Sequence, residues 1–171
     1  MKRVVKIVLI MSLFGLFSTC INPFAPQLDT SSEMAFVLTE QKTPDDALDN
    51  FKYAYTTKDS FVYADVLDSA FIFQFSDPED NVSNRIITWG RNDDLKSTGK
   101  LFRSFTTIDL NWGKNNLWEL NEDSYAERTR TFKLHLSGPA GDFLVNGAAV
   151  FAFRKSPYDL KWRISRWQDG L

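Results

Sequence analysis

From Phe105 to its end the chain reads as one long strand after another, and that leaves few ways for it to fold. Residues 105–112 make a first strand and a long second one ends in "TRTFKLHLS". "FLVNGAAVFAFRKS" and "LKWRISRWQD" make the third and fourth. Apolar and polar residues alternate along them, the period of a sheet with one face buried. Gly138-Pro139-Ala140-Gly141 and Ser156-Pro157-Tyr158-Asp159 are the turns between them. In the last strand Leu160, Trp162 and Ile164 alternate, and Trp167 then falls out of phase. Either a bulge shifts the register there, or Trp167 faces the other side.

A sheet with one apolar face needs a cover, and the preceding residues supply it. Thr43 can cap a helix, Pro44 suits its first position, and Asp45 and Asp46 favour its positive end. Ala47, Leu48, Phe51, Ala54 and Tyr55 then fall on one helical face. Asp59-Ser60 restarts a second short helix, running to about residue 67. "AFIFQFS" follows as a strand with Phe71, Phe73 and Phe75 on one side. "SDPEDNVSNR" is a polar loop, and "WGRNDDLKSTGKLF" a third helix with Leu95, Gly99 and Phe102 on one face. Gly99 there would let another backbone approach closely. The order is α+β, without the strict alternation of a parallel sheet. Fifteen phenylalanines and five tryptophans call for a strongly curved antiparallel sheet wrapped around the N-terminal helix.

The first forty residues give an expected location. Lys2, Arg3 and Lys6 precede an apolar run at 7–17, then Ser18 and Thr19. Charged, apolar, small is the layout of a secretory signal, and the run falls short of the ~20 residues of a membrane span. Cys20, the chain's single cysteine, stands where the mature protein would begin. This resembles a bacterial lipoprotein signal, although Phe17 and Thr19 occupy places where leucine and then glycine or alanine are usual. The resemblance implies acylation of Cys20 and a cell-envelope protein, periplasmic or outer-surface, held to a membrane by acyl chains. An ordinary secreted protein is the alternative. Residues 1–19 then form the signal peptide, 20–42 a tether rich in proline and polar residues, and 43–171 the folded domain. Within the tether "MAFVL" could instead pack on the domain.

With one cysteine there is no internal disulfide and no thiolate metal site, so the core alone must stabilise the domain. Without Lys2, Arg3 and Lys6, 17 basic residues face 22 acidic ones, a net of −5. That balance argues against a nucleic-acid partner.

The element order, the opening "TPDDALDNFKYAYTTKDSFVYADVLDSAFIFQF" and the closing "GAAVFAFRKSPYDLKWRISRWQDG" resemble the nuclear transport factor 2-like, or cystatin-like cone, superfamily. The resemblance covers about residues 43–170. It implies a cone whose mouth opens on a pocket between the curved sheet and the first helix. Family members include ketosteroid isomerases, scytalone dehydratases and polyketide cyclases, others bind or assemble without catalysis, and many dimerise through the outer sheet face. Fold does not choose among these.

Tyr55, Phe73, Trp89, Trp112, Arg128 and Arg130 are the residues expected to line such a pocket. Arg128 and Arg130 share a face with Phe132 and Leu134, where two guanidinium groups could bind a carboxylate or phosphate; a solvated strand end is the plainer reading. Trp89-Gly90-Arg91 is placed at the start of the third helix. His135, the only histidine, faces away from the apolar set of its strand, toward water. Asp109 and Glu127 read as surface carboxylates. "DPEDN" lacks a calcium-loop pattern. No phosphate loop, serine elbow, zinc helix or dinucleotide fingerprint is present. The expectation is a binding module for a small apolar ligand or a partner protein, without cofactor, metal or catalytic residue. The alternatives are an isomerase or dehydratase using a buried carboxylate, and a homodimeric interaction module.

Overall fold

Thr43 begins the first helix by a reciprocal cap. Its hydroxyl accepts from the Asp46 N–H (3.1 Å), and the Asp46 carboxylate accepts from the Thr43 N–H (3.0 Å). The computed structural model describes residues 37–76, 85–113 and 118–169. Helix α1 is Pro44–Thr57, closed by Lys58 in the left-handed conformation (φ 58°). Asp59 caps α2, Ser60–Val66, by accepting from the Phe61 and Val62 N–H groups. The strands are β1 Leu67–Ser76, β2 Ile86–Gly90, β3 Thr107–Trp112, β4 Trp118–Asn121, β5 Tyr125–Gly138, β6 Gly141–Lys155 and β7 Trp162–Asp169; α3, Arg91–Ser104, lies between β2 and β3.

The strands form one curved, open sheet in the order β2-β1-β7-β6-β5-β3, with β4 paired to β5 beyond the end of β3. This is the α+β cone the sequence predicts. Its inner face packs on α1, where Phe51 touches the rings of Tyr55, Tyr63, Trp112, Phe151 and Trp167.

Several details differ from the sequence reading. The sheet is mixed, because β1 pairs parallel with β7. The long strand ending in "TRTFKLHLS" is two strands, β4 and β5. Ile86-Ile87-Thr88-Trp89 forms β2, so Trp89 belongs to a strand and Gly90 caps α3. A methyl at Gly99 would meet only the Arg103 side chain, so no backbone approaches there. Leu160 does not alternate with Trp162: it sits in a turn at φ 57° and is 63% exposed. That turn is closed by the bonds Leu160 N–H to Ser156 O and Ser156 N–H to Lys161 O.

The phase of Trp167 has a local cause. Phe153 pairs with Ile164 while Ala152 pairs with Arg166, so Ser165 is one residue extra on β7. This bulge turns Trp167 back inside, where it meets Phe51, Phe73 and Phe151.

The packed unit also begins before Thr43. The Thr39 N–H donates to Asn50 Oδ1 (2.8 Å), Gln41 Nε2 donates to Asp65 (2.7 Å), and the Trp162 N–H donates to Gln41 O (2.8 Å). Cys20, most of the tether and the "DPEDN" loop lie outside the described residues. No helix among the described residues is long and apolar enough to cross a membrane.

Candidate functional site

Helix α3 carries polar residues on its buried face. Asp94, Thr98 and Phe102 are its buried positions, four residues apart on one side, and Leu101 lies beside them. The face is laid over inner residues of three strands: Phe73 of β1, Trp89 of β2 and Trp167 of β7. Tyr55 of α1 completes the wall. Together they line an open hollow of about 380 Å³.

Aromatic rings line one side of it. Phe73 and Trp89 stack with centroids 4.6 Å apart, and Trp167 stands perpendicular to Phe73 at 4.8 Å. Both pairs have the offset or edge-on geometry that ring quadrupoles favour. Trp89 holds its place by donating its indole N–H to Asp94 (3.2 Å). The five-residue step across Gly90 makes that reach possible, since strand and helix meet there.

Asp94 is the polar centre. It is 3% exposed, and the fully buried Tyr63 donates its hydroxyl to it at 2.5 Å. Burial pushes its pKa up; the Tyr63 and Trp89 donors pull it down, and burial prevails. The same burial raises Tyr63 well above the usual phenol range and raises Tyr55, whose hydroxyl interacts with Thr98 and Tyr63. The result is a short chain of hydroxyls ending on a carboxylate inside an aromatic hollow. Among the described residues no group of three or more His, Cys, Asp or Glu could hold a metal.

Tyr55, Phe73 and Trp89 therefore stand together in this hollow. Trp112 lines a separate cleft of about 440 Å³ near Gly147 and donates its N–H to Leu48 O (3.3 Å). Arg128 and Arg130 do face inward with Phe132, but they grip the first turn of α1: both donate to Asp45. His135 and Asp109 are exposed, and Glu127 pairs with Arg166 (2.9 Å). Asp94 and Thr98 escape a sequence reading that searches helix faces for apolar residues. The one signal for Asp94 is its place in the first turn of a helix.

A larger groove of about 640 Å³ runs past Arg91, Arg154 and Arg163 at the other end of β7. Its charges are mostly engaged: Arg163 pairs with Asp65 and Asp159, and Arg91 donates to Ala64 O. The smaller hollow differs in that a buried carboxylate, unpaired with any lysine or arginine among the described residues, meets the rings of Tyr55, Phe73, Trp89 and Trp167 there.

No protein-family model matches this sequence, and no curated protein matches it. Solved structures do. A protein of Novosphingobium aromaticivorans named as an aromatic ring hydroxylase has a TM-score of 0.61 at 16% identity, over 77% of this chain and 89% of that one. A nuclear transport factor 2-like superfamily protein of Salmonella enterica has a TM-score of 0.58 at 12% identity, over 72% and 84%. A protein of Streptomyces avermitilis named as a dehydratase of the same family has a TM-score of 0.52 at 17% identity, over 73% and 92%. At these identities the likeness is one of fold.

Proposed function

We propose that this cone binds a small, mainly apolar organic molecule between α3 and the sheet without transforming it, and that acyl chains on Cys20 hold it at a membrane of the cell envelope. The observation that supports binding is the meeting of Phe73, Trp89 and Trp167 with a buried Asp94 in one hollow. Ligand sites are commonly concave and aromatic, with few polar groups that fix orientation. The basic, apolar and small residues before Cys20 support the anchor.

A second reading follows from Asp94 itself. A carboxyl whose pKa is raised by burial holds a proton more readily than a surface carboxylate, as a general acid or base requires. A dehydratase or isomerase would use it so, and one structural neighbour is named as a dehydratase.

Mass spectrometry of the full chain, purified from producing cells, separates these readings. Binding in this hollow predicts a small-molecule adduct on the wild type that Leu101→Trp loses, because the larger side chain fills the space. An adduct kept by Leu101→Trp would contradict the site. Asp94→Asn is expected to carry less of that molecule and no other in its place. A different molecule from Asp94→Asn would favour catalysis.

A further inference from the structure

We propose that the hollow selects an organic ammonium ion, an amine on an apolar body, with its charge at Asp94 and its body against the tryptophans. This rests on the reading of the hollow as a ligand site and names the class of ligand.

Charge balance sets Asp94 apart from the other acids of the fold. Three acids nearer the surface meet cations: Asp45 meets Arg128 and Arg130, Asp65 meets Lys161 and Arg163, and Glu127 meets Arg166. Asp94 is buried more deeply than these, yet among the described residues no lysine or arginine pairs with it. Its partners are two neutral donors, Tyr63 and Trp89. Those donors and the positive end of α3 offset only part of a buried negative charge. An ionised carboxylate has about four acceptor positions, so room for further donors remains.

The surroundings decide which cation suits it. A metal ion would want several oxygen or nitrogen ligands, and here Asp94 stands among rings. A charged N–H donor bonds a carboxylate more strongly than a neutral one does, and flat rings beside it suit an apolar body. Trp89 and Trp167 border the same hollow as Asp94. A carboxylate bordered by indoles thus favours a compact positive head on a greasy body over a neutral molecule of the same shape.

The test compares 2-phenylethylammonium with its uncharged counterpart, 2-phenylethanol, by titration calorimetry on the full chain at pH 7. The ammonium is expected to bind at least about ten-fold tighter, a difference that a charge-assisted hydrogen bond to a buried carboxylate can supply. In Asp94→Asn the two should bind within about three-fold of each other. Equal affinities in the wild type would overturn the charge selection and leave the binding site standing. Binding of neither probe would overturn both. The wild-type comparison does not depend on how well the variant folds.

Discussion

Phe51→Ala is expected to cost about 3–5 kcal/mol of folding free energy, the range for emptying a well-packed aromatic site. Phe51 is 1% exposed and sits where α1 meets the sheet. It stacks on Tyr55 at 4.7 Å and meets the edges of Tyr63 and Trp167 at 5.5 Å. Its neighbours come from α1, α2, β3, β6 and β7, so no single movement can refill the space. The loss is a large share of a typical stability of about 5–15 kcal/mol. Two of the rings it supports, Tyr55 and Trp167, are walls of the hollow, so the same change should weaken ligand binding in whatever protein remains folded. Urea denaturation measures the first effect, and Phe51→Leu should keep more than half of the lost stability. A cost below about 1 kcal/mol would mean that this ring is not the packing centre.

Arg128→Ala should cost about 3 kcal/mol, for a reason other than packing. Arg128 is 4% exposed, and its guanidinium donates to Asn121 Oδ1 (2.7 Å), Glu127 O (2.8 Å), Leu120 O (3.1 Å) and Asp45 (3.3 Å). Asp45 is nearly half exposed, so water can replace that ion pair at small cost. The larger loss is at Asn121 and the two carbonyls, which the arginine fork satisfies together. Arg128→Lys keeps the charge but not the fork, and should recover less than half of the loss. Hydrogen exchange gives the signature: amides of β4 should lose protection in Arg128→Ala while those of β6 keep it. Uniform loss across the sheet would contradict the local clamp.

The architecture was legible where one pattern carried it. Thr43 through Tyr55 announces a capped amphipathic helix, and Phe71, Phe73 and Phe75 announce a strand. The features that sequence reading misplaced depend on partners far along the chain. The parallel pairing of β1 with β7 joins residues about a hundred positions apart, and no local pattern records it. Leu160 looks like a strand residue, but hydrogen bonds within the turn around it hold it outside. Ile86 to Thr88 reads as a β-branched run leading into Trp89 only once the glycine after it is taken as a helix cap. At the site, the aromatic walls Tyr55, Phe73 and Trp89 were legible because large rings seek the interior. Asp94 was not, since a carboxylate in a polar helical turn looks like surface until the sheet closes over it. Arg128 and Arg130 were placed on the correct face, and their partner Asp45 belongs to a helix more than eighty residues earlier.

A buried carboxyl, Asp94, stands at the polar end of the aromatic hollow. The indole N–H of Trp89 reports on it directly, because it donates to Asp94. Following that N–H resonance by nuclear magnetic resonance from pH 3 to pH 8 should show one titration, with a midpoint above the ordinary aspartate value of about 3.9. Asp94→Asn should abolish it, and saturating 2-phenylethylammonium should move the midpoint down, because a bound cation favours the ionised form. A Trp89 signal that stays flat, or that titrates at or below the ordinary value, would contradict the account.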